Sequence, residues 1–186
     1  MAAAGGWHLK KTVVLVGMMG AGKTAVGKAL AAELDVPFLD SDVEIETAAN
    51  MTISEIFQRD GEPFFRDRET QVIDRLLDGP PGILSAGGGA FLAERNRDLI
   101  SAKGISVWLK ADLELLWNRV KHKETRPLLR TEHPKATLRA LYEKRLPFYS
   151  MADLAVEARQ EYSIETMAGK VLEALARRED VLEKVE

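Results

Sequence analysis

Thr12-Val-Val-Leu-Val16 runs straight into Gly17-Met-Met-Gly20-Ala-Gly22-Lys23-Thr24, and that junction decides the fold. The first five residues are apolar and mostly β-branched without alternation, the pattern of a strand buried on both faces. The next eight match the phosphate-binding loop G-x-x-x-x-G-K-[ST]. In such a loop the glycines let successive backbone N–H groups turn inward around an oxyanion. The lysine reaches the β- and γ-phosphates, and the Ser or Thr hydroxyl binds Mg²⁺. From Lys23 the apolar residues Val26, Leu30 and Leu34 recur at helical spacing, so a helix N-terminus adds its dipole to the anion site. The bare pattern arises by chance in Gly-rich turns, but a strand before it and a helix after it are the context its chemistry requires.

Outward from this junction, strand and helix signals alternate. A second strand is predicted over 36–40, ending in Asp40-Ser41-Asp42. Thr52-Ile-Ser-Glu55 is a capping box that opens a helix. Pro63 suits the first turn of the next helix, which carries Arg66 towards Leu77. Asp78-Gly-Pro-Pro-Gly82 is a turn, and Ile83-Leu-Ser-Ala86 is a third strand stopped by Gly87-Gly88-Gly89. Helix is predicted over 93–103, strand over 105–109, and a helix capped by Asp112 to Val120. Residues 121–135 show no period and read as a mobile loop. A helix towards Arg145 should break near Pro147. Leu154-Ala-Val156 is a fifth strand, and Ser163 starts a last helix to about Arg178. Strands separated by helix-length segments imply an α/β fold: a central five-stranded parallel sheet with helices on both faces. Ligands of such sheets sit at the carboxyl ends of the strands.

The chain has 186 residues, 46% hydrophobic and 30% charged, as expected for one globular domain with its own core. It contains no cysteine, which excludes disulfides and zinc–thiolate sites. A net charge of −3 suggests neither a nucleic-acid nor a membrane partner, although Arg119, Lys121, Lys123, Arg126 and Arg130 crowd one stretch. Met1 to Gly6 lacks the basic region and apolar core of a signal peptide, and no apolar run approaches a membrane span. A cytoplasmic monomer is expected, with residues 1–11 a flexible N-terminus; a transit peptide removed beforehand is left open. His8, His122 and His133 have no metal-ligand spacing.

Two carboxylates at Asp40 and Asp42 can both serve a phosphate site if the strand unwinds between them. Asp40 could then hold Mg²⁺ through water, and Asp42 could take a hydroxyl proton. The competing reading is simple helix N-capping. Three glycines at 87–89 allow a ligand to approach backbone N–H groups closely. Arg66 and Arg145 follow or precede apolar packing residues, and two positioned guanidiniums can grip a carboxylate. Arg126, in the basic stretch, could neutralise charge during phosphoryl transfer.

Together, Gly20-Ala-Gly-Lys-Thr24, Asp40-Ser-Asp42, Gly61-Glu-Pro-Phe-Phe-Arg66, Leu84-Ser-Ala-Gly-Gly-Gly89, Arg126-Pro-Leu-Leu129 and Lys144-Arg-Leu-Pro-Phe-Tyr149 resemble the shikimate kinases in order and spacing. The resemblance covers about residues 12–178 and implies a fold similar to the nucleoside monophosphate kinases. It implies ATP as co-substrate, Mg²⁺ as cofactor, and the 3-hydroxyl of shikimate as nucleophile. It further implies that Gly20, Ala21, Gly22, Lys23, Thr24, Ala25 and Arg126 bind ATP, with Arg159 near the adenine. Asp42, Arg66, Gly88 and Arg145 would bind the acceptor, and Thr24 and Asp40 the metal. Lys23, Asp42 and Arg126 would be catalytic. About 42–77 would be the substrate-binding portion of a single domain and about 121–135 its lid.

Overall fold

The computed structural model of the chain describes residues 6–122 and 131–186. Seven strands are described: β1 Trp7–Leu9, β2 Thr12–Val16, β3 Phe38–Asp40, β4 Ile83–Ser85, β5 Gly104–Lys110, β6 Leu154–Glu157 and β7 Leu182–Lys184. The described α-helices are α1 Lys23–Leu34, α2 Ser41–Ala49, α3 Ile53–Asp60, α4 Glu62–Leu77, α5 Glu94–Lys103, α6 Leu113–Val120, α7 Pro134–Tyr149 and α8 Ile164–Ala176.

The central sheet has five parallel strands in the order β3-β4-β2-β5-β6. The path from β2 through α1 to β3 moves one way across it, and the path from β4 through α5 to β5 moves the other. Right-handed crossovers in opposite directions put their helices on opposite faces, which makes the sheet doubly wound as the alternation predicts. β2 lies at its centre with all five residues buried, and Val13, Val14 and Leu15 have no exposed surface. Each such side chain contributes roughly 1.5–3 kcal/mol by leaving water. The centre of the sheet is therefore held firmly, and the loop that leaves it has a rigid base.

A second, smaller core of Ile45, Ile56, Phe65 and Val72 joins α2, α3 and α4. The rings of Phe57 and Phe65 meet there at 4.9 Å. This cluster lies beside the main core and gives the stretch between β3 and β4 its own internal packing.

Side-chain caps open half of the described α-helices, α2 among them through Asp40. Thr52 accepts the Glu55 N–H, Asp112 that of Leu115, and Ser163 that of Thr166, each as its sequence pattern predicts. Three features differ from expectation. Trp7–Leu9, expected within a flexible N-terminus, pairs antiparallel with β7, and Leu9 is buried. Helix α2 forms where none was predicted. Helix α7 does not break at Pro147 but continues through it to Tyr149. The proline forgoes one hydrogen bond, to Glu143, whose exposed position lets its carbonyl turn to water. Fully buried Tyr149 then anchors the last turn. Residues 123–130, most of the expected lid, lie outside the described residues; at its end, Pro134 and Lys135 already belong to α7.

Candidate active site

The carboxyl ends of β2, β3 and β4 open into one cleft of about 720 Å³. The loop from β2 to α1 forms one wall. Its turn needs Gly20 at φ 84° and Gly22 at φ 96°, conformations that side-chain-bearing residues rarely adopt. Gly22 is the N-cap of α1 and supplies no side-chain acceptor, so the helix presents its N-terminal amides to the cleft. Lys23 Nζ donates to the carbonyls of Gly17 and Met18, the latter at 3.4 Å, and so lies back over the loop. Thr24 and Ala25 line the same wall. Arg119, which sequence reasoning passed over as one of a basic run, donates from Nη1 to Gly20 O at 3.0 Å and Ala21 O at 3.2 Å. It braces the outer curve of the loop, and burial draws its pKa down.

At the end of β3 the chain turns directly into α2 rather than unwinding. Asp40 is the N-cap, its Oδ1 accepting the N–H of Asp42 at 2.9 Å and of Val43 at 3.3 Å. The capping reading of Asp40 therefore holds, and the residue still faces the cleft alongside Asp42. Asp42 sits in the first turn of α2. Burial, and then the adjacent charge of Asp40, push its carboxyl above the usual aspartate range. Lys23 and Arg66 pull it down, and Glu46 adds a further upward push.

Gly87, Gly88 and Gly89 connect these groups. A Cβ on Gly87 would lie 2.5 Å from Asp42 Oδ1, one on Gly88 2.6 Å from Arg145 Nη1, and one on Gly89 2.6 Å from Arg66 Nη2. Each glycine thus makes room for a different one of the three acceptor-site side chains predicted from sequence. Asp42, Gly88 and Arg145 line the cleft, while Arg66 lies against the neighbouring Gly89. The loop backbone is also held. Gly87 N–H donates to buried Ser41 Oγ at 3.0 Å, and Gly87 O accepts from Ala90. Gly88 O accepts from the Tyr149 hydroxyl at 2.6 Å, and Gly89 O from Leu92. The N–H groups of Gly88 and Gly89 donate to no acceptor among the described residues. Two guanidiniums and two open amides around one loop are the kind of donor set that can grip a carboxylate.

Arg66 is positioned from behind by Glu69, only 1% exposed, whose carboxylate oxygens lie 3.0 and 3.2 Å from Nη1. Burial raises the Glu69 pKa and the Arg66 charge opposes the rise. Its place three residues after Arg66 in a helix is visible in sequence, but its burial is not. Arg159 stands at the opposite end of the cleft, next to Tyr162 and Ser163, and is mostly exposed. Arg126 lies outside the described residues.

The family model for shikimate kinase matches residues 19–176. The chain belongs to the shikimate kinase family. It is 71% identical to a shikimate kinase of Ruegeria pomeroyi over 175 residues, covering 94% of this chain and 90% of that protein. It is 68% identical to one from Cereibacter sphaeroides, covering 95% and 88%. Among solved structures, the shikimate kinase of Acinetobacter baumannii in complex with shikimate superposes with a TM-score of 0.83 at 40% identity, over 90% of this chain and 93% of that one. The five-stranded sheet and cleft described above are therefore those of a shikimate kinase family fold.

Proposed function

We propose that the protein transfers the γ-phosphoryl group of ATP to the 3-hydroxyl of shikimate, giving shikimate 3-phosphate and ADP in aromatic amino-acid biosynthesis. One observation carries this reading: the loop at 87–89, in which each glycine makes room for one of Asp42, Arg145 and Arg66. A hydroxylated acid needs a carboxylate grip at one end and a hydroxyl partner at the other. Asp42 is within electrostatic reach of Lys23 and Arg66, and the two arginines lie against the next two glycines of the loop.

In this reading the glycine loop and α1 amides hold the ATP phosphates, with Gly20, Ala21, Gly22, Lys23, Thr24 and Ala25 as contacts. Lys23 leaves its carbonyl partners for the β- and γ-phosphates. Arg159 flanks the adenine end, and Arg126 offsets charge on the moving phosphoryl. Arg66, Arg145 and Gly88 hold the acid so that its 3-hydroxyl meets Asp42. The hydroxyl oxygen attacks the γ-phosphorus in line, the bond to the β–γ bridging oxygen breaks, and ADP leaves with that electron pair. A loose transition state asks little of a base, so Asp42 acts chiefly by orienting the hydroxyl and receives its proton late. Its raised pKa suits that acceptance.

Mg²⁺ fits the donors present. Among the described residues no three acidic or histidine side chains form a metal cage. Thr24 and Asp40 face the cleft together, and Asp40 Oδ2 is not used in capping. That sparse set suits an ion that keeps its waters and binds through one or two protein oxygens plus substrate phosphates. Thr24 would hold it directly and Asp40 through water, and it would supply neutralisation of phosphate charge. Among the described residues no helix is long and apolar enough to cross a membrane. A monomer in the cytoplasm, without nucleic-acid or membrane partners, completes the reading.

The deciding experiment measures ADP release with shikimate, quinate and gluconate as acceptors at matched concentrations. Shikimate should be preferred by at least about two orders of magnitude, the scale of losing a hydrogen-bonded partner in a built site. Equal turnover with gluconate would refute the assignment.

A further inference from the structure

Three adjacent glycines create room for Asp42, Arg145 and Arg66, but they also leave the loop free to rotate its peptides. A carboxylate receptor works well only if its donors are aimed before the ligand arrives. Something must therefore stiffen the loop. Ser41 fixes the amide of Gly87, but it lies on the Asp42 side.

The Ala90 and Leu92 amides hold the carbonyls of Gly87 and Gly89, and Tyr149 supplies the restraint on the carbonyl between them. It is 1% exposed, and its ring lies 6.2 Å from that of Trp108. Its hydroxyl donates to Gly88 O at 2.6 Å. In a trans peptide the carbonyl and the following N–H point in opposite directions, so fixing Gly88 O also fixes the direction of the Gly89 N–H. Tyr149 stands four residues after Arg145 on α7, on the same helical face. The two side chains thus clasp Gly88 together, one at its oxygen and one in the space of its missing Cβ. Arg145 Nε is buried and lacks a partner, so the guanidinium is oriented by packing and by this neighbour rather than by an ion pair at that atom. Burial raises the Tyr149 pKa and outweighs the opposing effect of the adjacent Arg145, so the phenol stays a neutral donor.

We propose that Tyr149 is a positioning residue for acid recognition: its hydroxyl holds the Gly88–Gly89 peptide against α7, keeping the Gly89 amide open beside Arg145 and Arg66. The inference rests on the reading that the acceptor's carboxylate binds there. A phenylalanine would fill the same volume against Trp108, so the hydroxyl is the part at issue.

The test compares the parent with Tyr149→Phe by titrating shikimate, its methyl ester and a non-hydrolysable ATP analogue separately. The variant should bind the acid about tenfold more weakly, the effect of one lost buried hydrogen bond. Binding of ester and ATP analogue should hold, and the loss should appear in KM for the acid more than in kcat. Unchanged acid affinity, or an equal loss for all three ligands, overturns the inference. A parent that binds ester as tightly as acid instead removes the carboxylate reading, and the inference with it. A measurement on the unmodified protein covers a variant that does not fold. The buried hydroxyl proton of Tyr149, observed by NMR in tyrosine-labelled protein, should shift with the acid but not with the ATP analogue. A signal unmoved by the acid overturns the proposal.

Discussion

Gly88→Ala separates site from fold. Gly88 does not occupy the left-handed region, so alanine fits its backbone conformation. The three atoms nearest the new methyl would all belong to Arg145, with Nη1 at 2.6 Å, Cζ at 3.5 Å and Nη2 at 3.9 Å. Ordinary contact begins at 3.4 Å, so the guanidinium must retreat by about 0.8 Å. The far end of a flexible side chain can make that move cheaply. The unfolded chain meanwhile loses conformational freedom, worth about 0.4–1 kcal/mol in favour of folding. Stability should therefore change little. Catalysis should not be spared, because a displacement near 1 Å in a positioning group costs roughly 10²-fold. That corresponds to about 2.7 kcal/mol of transition-state stabilisation. Steady-state kinetics should show kcat/KM for shikimate down about a hundredfold, ATP affinity retained and the melting temperature nearly unchanged. A variant with near-parental kcat/KM would refute the argument that Arg145 needs the space of the missing Cβ. A large loss of melting temperature would refute the claim that only a side-chain tip is displaced.

Lys23→Ala should cost at least ~3 kcal/mol in turnover, as expected for a lost charge contact in a water-poor site, with an unchanged circular dichroism spectrum. Near-parental turnover would remove Lys23 from the mechanism. Asp42→Asn should lower kcat severely with ATP binding kept, yet stabilise the ligand-free fold at neutral pH. The sign follows from the pKa: folding raises it above 3.8, so the folded state disfavours the ionised form. The penalty is absent below the unfolded value and grows as pH rises through the folded one. Thermal melts should show the variant's advantage at pH 7 and its disappearance near pH 3; equal melts at both would contradict the burial argument.

Capping and periodicity were legible in the sequence because they are local. Helix α1 occupies the predicted Lys23–Leu34, and Thr52, Asp112 and Ser163 cap as their patterns require. The loop at 17–24, the alternation of strands and helices, the glycines at 87–89 and the residues Asp42, Arg66 and Arg145 could be picked out from residue type and spacing, while Gly88 was singled out by the family resemblance. The tertiary structure alone decided how they meet. Helix α2 was invisible because it buries only Ser41 and Ile45; its contacts with α3 and α4, not a long apolar stripe, hold it. β1 formed because β7, at the other end of the chain, offered it backbone partners. Glu69 reads as one more charged residue on an exposed helix until the fold buries it behind Arg66. Tyr149 and Gly88 lie 61 residues apart, and Gly87 and Ser41 lie 46 apart. Hydrogen bonds over such separations leave no period in the sequence. They follow from the placement of β4 between β3 and β2, which sets the glycine loop beside α2, and from α7, whose last turn delivers the Tyr149 hydroxyl to that loop.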